Sequence, residues 1–244
     1  MLGLPDAIRG CLFDMDGVLT QTATVHAAAW QEMFDDFLRK RAGATGQPFV
    51  PFDPVRDYDE YVDGKPREEG TESFLASRGI HLPAGAADDP PGTPTIDGLG
   101  NAKNEILRRK LRTDGVHAYP GSVRYVRAAR DAGLHRAVVS SSANTADVLA
   151  AAGIGDLFEA RIDGVVAARE HLHGKPSPDS YLAGAKALGL APEQAAVFED
   201  ALAGVTAGRA GQFGFVVGVD RVGQADALRA HGASIVVKDL GELL

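Results

Sequence analysis

The chain has 244 residues, one cysteine and a formal net charge of −8, which is enough length for one sizeable core and a smaller second unit. The acidic balance argues against nonspecific nucleic-acid binding, and a single cysteine, Cys11, excludes an internal disulfide framework. No apolar run reaches the ~20 residues of a membrane span and no leader pattern is present, so we expect a soluble cytoplasmic protein without nucleic-acid or membrane partners.

The first predicted strand covers residues 10–13 and ends at two carboxylates, Asp14 and Asp16, which precede Gly17. Cys11 lies inside this apolar strand and is expected to be a core residue. Buried carboxylates are costly unless a metal ion, a hydrogen-bond network or a reaction requires them. The alternative is a plain strand followed by an Asp-Gly turn.

Roughly 120 residues separate this strand from the next predicted one, which is far more than a βα crossover needs. We therefore predict an inserted domain. It should be helical, with one apolar helix face around residues 25–38, a second helix near residues 74–75 and a third near residues 106–111. Residues 83–100, which are rich in Gly and Pro, are predicted to form a long mobile loop.

Further strands are predicted at residues 136–140, 195–198, 214–219 and 234–237, and amphipathic helices lie between them. After the start signal at residues 176–178, Tyr181, Leu182, Ala185 and Leu188 have helical spacing, which we interpret as core packing. This alternation predicts an α/β fold with a parallel sheet covered by helices on both faces.

Polar segments follow three of these predicted elements. Ser140, Ser141, Ser142 and Asn144 come after one strand and offer donors to an anion, and Asn144 could cap the next helix. Lys175 adds a positive charge, and Glu199 with Asp200 could complete a magnesium site that begins at Asp14. Each segment alone could be a cap, a surface lysine or an acidic loop. Their occurrence at successive strand ends favours a shared site.

These four segments, in this order and spacing, resemble the haloacid-dehalogenase superfamily of phosphoryl-transfer enzymes. Within it, the chain is similar to the β-phosphoglucomutase group over essentially its whole length. The resemblance implies a Rossmann-like parallel-sheet core of that superfamily's type, at residues 1–22 and 117–244, with an inserted helical cap domain at residues 23–116. Matching residues beyond the four segments include Thr22, His26 and Trp30, then 64–68, 100–104 and 119–121.

The resemblance assigns chemistry to the core residues. Asp14 matches the family's nucleophile, which forms an aspartyl phosphate, and Asp16 matches its general acid/base. The presence of Asp16 counts against dehalogenation. Ser140 and the main-chain amides of Ser141 and Ser142 would hold the transferring phosphoryl group while Lys175 balances its charge. Mg²⁺ would be bound by Asp14, the Asp16 carbonyl, Glu199 and Asp200.

The resemblance also assigns substrate contacts. Asn144 matches a position that contacts phosphate or sugar, and Trp30 lies among the matching residues. Arg67 matches the residue that grips a distal phosphate, and Lys103 one that reaches the sugar. Thr22 and His26 match the hinge threonine and the histidine that couple cap closure to the general acid/base. Without the match, these side chains would be interpreted as surface or core residues.

The resemblance therefore implies a magnesium-dependent isomerase of carbohydrate metabolism that converts β-glucose 1-phosphate into glucose 6-phosphate through a bisphosphate. The expected partners are phosphorylated sugars alone, and the protein is expected to be a monomer. Two alternatives remain: a sugar-phosphate phosphatase with the same core, and a noncatalytic sugar-phosphate-binding module. Gln21 and Ala201 depart from the family, which commonly has Asp and Ser at these positions.

Overall fold

The structure, a computed structural model, describes residues 2–244, and by contacts it divides into two compact units. Of the described residues, the first unit contains 2–21, 64–66 and 116–244. The second contains residues 22–63 and 67–115. In the described chain no helix combines the length and the apolar character needed to cross a membrane.

The first unit is built on a six-stranded parallel sheet in the order β3-β2-β1-β4-β5-β6. The predicted α/β class is thereby confirmed. The strands are β1 (Gly10–Phe13), β2 (His135–Val139), β3 (Ala160–Ile162), β4 (Ala195–Glu199), β5 (Phe215–Val219) and β6 (Ile235–Val237).

Within residues 2–244, six helices and three 3₁₀ turns accompany this sheet. The helices are α4 (Pro120–Asp131), α5 (Thr145–Ala151), α6 (Gly164–Glu170), α7 (Asp179–Ala187), α8 (Leu202–Ala210) and α9 (Ala225–His231). The 3₁₀ turns are Gly155–Leu157, Pro192–Gln194 and Leu240–Leu243. Strands β1 and β4 are buried along their whole length, as expected for central strands of a sheet covered on both faces.

The prediction missed β3, which is the edge strand beside β2. It has only three residues, and its central residue, Arg161, is exposed. A strand this short carries too little apolar pattern to stand out from a loop, because its pairing with β2 is decided by the neighbouring strand.

The second unit contains α1 (Ala23–Thr45), α2 (Arg67–Ser77), α3 (Ile96–Asp114) and a π-helical turn, Tyr58–Val62. Its core is rich in aromatic rings. Phe34 contacts Trp30, Phe52 and Phe74 with ring centroids 5.2, 5.3 and 4.2 Å apart. These contacts give the three helices a common apolar centre.

The predicted loop at residues 83–100 is wrong in its last part, because α3 already begins at Ile96. Thr95 caps this helix by accepting a hydrogen bond from the Gly98 amide at 2.9 Å. Gly98 and Gly100 lower the helix propensity and so hid the first turn. Ahead of the helix, Asp89 accepts a hydrogen bond from the Thr95 hydroxyl at 2.6 Å. The mobility of the loop stays a prediction.

Candidate active site

Three buried carboxylates meet at the carboxyl ends of β1 and β4. The two strands are neighbours with Phe13 opposite Phe198, so the residues that follow them emerge side by side. The Asp14 amide donates to the Phe198 carbonyl at 2.9 Å, which extends the pairing by one residue. Carboxylate oxygens of Asp14, Glu199 and Asp200 all lie within 4.8 Å of one another. A set of hard oxygen donors this compact suits a small divalent cation.

Lys175 joins two of these carboxylates from the loop that precedes α7. Its Nζ lies 2.5 Å from Oδ1 of Asp14 and 2.6 Å from Oε1 of Glu199, and the side chain is completely buried. Burial lowers the pKa of Lys175, but Asp14 and Glu199 outweigh it and hold that pKa above its ordinary value. The side chain therefore stays positively charged at neutral pH.

Asp14 itself is in an environment that opposes its ionisation. Burial raises the pKa of Asp14 well above its ordinary value, the Lys175 ammonium opposes this rise, and Glu199 and Asp16 reinforce it. Three carboxylates beside one ammonium group leave an excess of two negative charges when all are ionised. The two positive charges of a divalent cation would therefore balance this excess negative charge.

Tyr181 belongs to this cluster, although its helical spacing predicted only core packing. Its hydroxyl donates a hydrogen bond to Oε1 of Glu199 at 2.8 Å, and its ring centroid lies 4.9 Å from Nζ of Lys175. A buried tyrosine needs a partner for its hydroxyl group. That requirement was the one indication in the sequence that Tyr181 does more than pack.

Gly204 in α8 is a second residue that the sequence did not single out. A Cβ placed there would lie 1.7 Å from Oε1 of Glu199. The helix backbone thus approaches the Glu199 carboxylate more closely than any side chain would permit.

Asp16 lies two residues beyond Asp14 and is partly buried. The adjoining Gly17 has φ +83°, and a Cβ there would lie 1.7 Å from Oδ2 of Asp200. Glycine is therefore required, both for this backbone conformation and for the close approach to Asp200. The Gly17 amide also donates to the Thr20 carbonyl at 2.8 Å, which closes the turn.

The hydroxyl-rich loop after β2 is folded on itself. The buried Ser140 hydroxyl accepts from the Ser142 amide at 3.1 Å, and the Ser142 hydroxyl accepts from the Asn144 amide at 3.2 Å. The Ser141 hydroxyl donates to the Gly64 carbonyl at 2.7 Å. Asn144 stands at the N-cap position of α5, but its side chain makes no capping hydrogen bond there, so that prediction was wrong.

In the second unit, three predicted substrate residues lie together. Nζ of Lys103 is 3.1 Å from Nδ1 of His26 and 4.7 Å from the ring centroid of Trp30. Because an ammonium group only donates, Nδ1 of His26 must accept this hydrogen bond, which places the proton of a neutral ring on Nε2. Thr22 is buried at the start of α1, and its carbonyl accepts from the His26 amide at 2.9 Å.

Arg67 begins α2 and is partly buried in the same unit. Its guanidinium bonds the Glu68 carboxylate through Nε at 2.9 Å and through Nη2 at 2.7 Å. Its side chain lies across Gly100, where a Cβ would be 3.2 Å from both Cγ and Nε of Arg67. The absence of a side chain at Gly100 thus gives Arg67 its path over α3.

The two departures from the family differ in their surroundings. Ala201 is buried, and its amide donates to Oε2 of Glu199 at 3.1 Å. Because this contact is made by the backbone, it does not require the hydroxyl group of the serine that is common at this position. Gln21 is exposed, and its amide donates to the His117 carbonyl at 2.8 Å.

The sequence matches the family model of haloacid dehalogenase-like hydrolases over residues 8–212. A β-phosphoglucomutase of Mycobacterium bovis is 57% identical, and the match covers 100% of this chain and 94% of that protein. A β-phosphoglucomutase of Bacillus subtilis is 31% identical, with 97% and 92% covered. A solved β-phosphoglucomutase structure from Clostridium difficile has a TM-score of 0.74 at 24% identity, covering 97% of this chain and 93% of that one, and shares the fold.

Proposed function

Because the chain belongs to the haloacid dehalogenase-like hydrolases, we propose that it is a magnesium-dependent β-phosphoglucomutase, with the first unit as catalytic core and the second as cap. The choice of substrate is supported by the similarity over the whole length to the Mycobacterium bovis β-phosphoglucomutase. The reaction converts β-glucose 1-phosphate into glucose 6-phosphate. The buried acidic cluster supports phosphoryl transfer at the ends of β1 and β4.

Asp14 is the proposed nucleophile. In the phosphoenzyme, a carboxylate oxygen of Asp14 carries the phosphoryl group, which the C6 hydroxyl of β-glucose 1-phosphate accepts to give a bisphosphate. The bisphosphate then returns its C1 phosphoryl group to Asp14, and the C1 oxygen leaves with glucose 6-phosphate. Each transfer breaks one P–O bond and forms another, so the phosphoenzyme is regenerated in every cycle.

Asp16 moves the proton that these transfers require. It accepts the proton of the attacking C6 hydroxyl in the first transfer and gives a proton to the leaving C1 oxygen in the second. Lys175 keeps the positive charge that offsets repulsion between Asp14 and the incoming phosphoryl group, because Asp14 and Glu199 hold it protonated. Ser140 and the loop amides at 141–142 are the proposed donors to the phosphoryl oxygens. The Ser142 amide, which bonds the Ser140 hydroxyl in this structure, would give up that contact to the phosphoryl group.

The residues that would hold Mg²⁺ are Asp14, the Asp16 carbonyl and Asp200, with a smaller part for Glu199. Oε1 of Glu199 already accepts from Lys175 and Tyr181, while Oε2 accepts from one amide and keeps a free lone pair. When bound, the cation supplies the positive charge that the cluster lacks and stabilises charge on the transferring phosphoryl group.

The second unit supplies the proposed sugar and phosphate contacts. Lys103, fixed by His26 and Trp30, is a preformed donor for sugar hydroxyls. Arg67 binds the distal phosphate, where its planar guanidinium can bond two oxygens at once. Glu68 occupies those donors in this structure and would give them up to a phosphate group. Thr22 and Asn144 complete the proposed substrate contacts.

The test is an assay of β-glucose 1-phosphate with Mg²⁺ and catalytic glucose 1,6-bisphosphate. We expect glucose 6-phosphate as the main product and a loss of at least about a thousandfold in Asp14→Asn, because an amide forms no acyl phosphate. Asp131→Asn, a change at a surface aspartate of α4, is the matched control and should keep full activity. Free phosphate as the only product would instead identify a phosphatase, and binding without turnover a noncatalytic module.

A further inference from the structure

The loop after β5, residues 220–224, contacts the backbone of two loops that carry proposed catalytic residues. Nε of Arg221 donates a hydrogen bond to the Gly17 carbonyl at 2.7 Å. Nε2 of Gln224 donates to the Asp200 carbonyl at 3.0 Å. Neither residue was among the predicted site residues, because nothing in the local sequence indicates which backbone they reach.

Arg221 is held in a defined orientation. Its guanidinium carbon lies 3.6 Å from the ring centroid of Tyr119, and Nη1 donates to the Lys238 carbonyl at 2.7 Å. Only 16% of the side chain is exposed. A planar guanidinium fixed by a ring and two carbonyls can turn little, so the Gly17 carbonyl that it binds is fixed as well.

The 220–224 loop is anchored to the sheet. The Asp220 amide donates to the Val237 carbonyl of β6 at 2.8 Å. Oδ1 of Asp220 accepts from the amides of Gly223 at 2.7 Å and Gln224 at 2.8 Å. The loop is therefore a rigid support for the two side chains that it presents.

The contacts lie where small movements would matter. Gly17 follows Asp16 directly, and its α-carbon is so close to Asp200 that a Cβ would lie 1.7 Å from Oδ2. Rotation of the Gly17 backbone would move the Asp16 carbonyl on one side and press on Asp200 on the other. Arg221 restrains the first loop, and Gln224 restrains the second.

We propose that Arg221 and Gln224 are positioning residues, which hold the Asp16 carbonyl and Asp200 at the spacing that Mg²⁺ binding and phosphoryl transfer require. This inference rests on the proposed function and adds to it that the loop after β5 supports the backbone of two loops that carry proposed metal ligands. Residues behind the ligands of a metal site typically change metal affinity or activity by about ten- to a hundredfold when they are removed.

The experiment compares Arg221→Ala, Arg221→Lys and Gln224→Leu with the parent protein, using Arg130→Ala on the surface of α4 as control. Mg²⁺ binding is measured by calorimetry without sugar, and kcat and KM for β-glucose 1-phosphate are measured at saturating Mg²⁺. We expect the Kd for Mg²⁺ to rise about tenfold or more in Arg221→Ala, and kcat to fall while KM stays within about twofold.

Lysine should restore Mg²⁺ affinity only in part, because its ammonium group can bond the Gly17 carbonyl but lacks the planar fork that arginine stacks on Tyr119 while bonding two carbonyls. Parental Mg²⁺ affinity and kcat in a folded Arg221→Ala with a lower Tm would overturn the positioning role. If Arg221→Ala does not fold, Gln224→Leu decides the question: its Kd for Mg²⁺ should also rise, because the bond to the Asp200 carbonyl is lost, and parental Mg²⁺ affinity in folded Gln224→Leu would overturn the proposal. Because the calorimetry contains no sugar, it tests this inference even if the parent protein releases only free phosphate.

Discussion

The Tyr181 hydroxyl donates a hydrogen bond to Oε1 of Glu199 at 2.8 Å, and the same oxygen accepts from Nζ of Lys175 at 2.6 Å. Tyr181 is completely buried, and burial together with the Glu199 charge raises its pKa well above the ordinary value, so the hydroxyl stays a donor. Lys175 is thus held by a glutamate that a tyrosine orients in turn.

Tyr181→Phe should lower the free energy of unfolding by about 1.5–3 kcal/mol, because a buried carboxylate loses a hydrogen bond. The control is Tyr125→Phe, whose hydroxyl donates to the neutral Leu2 carbonyl, with an expected loss of about 0.5–1.5 kcal/mol. Urea unfolding followed by circular dichroism measures both. Equal losses in the two variants would contradict the special role of Glu199 as acceptor.

Gly204→Ala should lower kcat even though alanine favours a helix. The new Cβ would displace the Glu199 carboxylate, and Lys175 would lose part of its fixed position. Gly43→Ala in α1, where a Cβ meets nothing within 4 Å, should leave kcat unchanged and stabilise by up to about 1 kcal/mol. Steady-state kinetics of both variants measures the effect on kcat, and thermal unfolding measures the effect on stability. A parental kcat in Gly204→Ala would show that displacement of Glu199 does not affect turnover.

Asp200→Asn should raise the Mg²⁺ concentration for half-maximal activity by about tenfold or more, because the cluster loses one charged ligand with little change of shape. Titration of activity with Mg²⁺ at fixed β-glucose 1-phosphate gives this value. The surface change Asp131→Asn serves as control. An unchanged titration curve would place the cation elsewhere.

Arg67→Ala should reduce glucose 6-phosphate formation about ten- to a hundredfold more than free-phosphate release. A mutase needs the distal phosphate held so that a bisphosphate can bind in both orientations, and a charge-assisted contact contributes about 1.5–3 kcal/mol. The control is Arg41→Ala, at an exposed position of α1. The ratio of the two products is the measurement, and equal losses of both would assign Arg67 a general binding role.

The Cys11 thiol should not react with thiol reagents in the folded protein. Burial raises the pKa of Cys11 to about 12, so the thiolate fraction at pH 8 is about one in ten thousand. Because the folded pKa lies above the unfolded one, raising the pH through the unfolded value weakens folding. Labelling with a chromogenic disulfide at pH 8 should be complete only in guanidinium chloride. Fast labelling under native conditions would show that the core around Cys11 opens to solvent.

The sequence by itself determined the alternation of strands and helices, the ends of the central strands and the residues that follow them. Strand β1 begins and ends as predicted. Strand β2 shifts by one residue at both ends, and β4, β5 and β6 each differ by one residue at one end. These features could be predicted because apolar runs and the polar residues that end them are local patterns. The long separation of β1 from β2 likewise indicated an inserted helical unit.

Only the tertiary structure decided which of these residues meet. The order β3-β2-β1-β4-β5-β6 brings Asp14 beside Glu199, and Lys175 bridges them although it is 161 and 24 residues away in the chain. Some residues contact this cluster or its loops from other elements, and no local pattern distinguishes them from packing or loop residues. They are Tyr181, Gly204, Arg221 and Gln224. Their roles depend on distances of a few ångströms between segments far apart in sequence, and packing of the whole chain sets those distances.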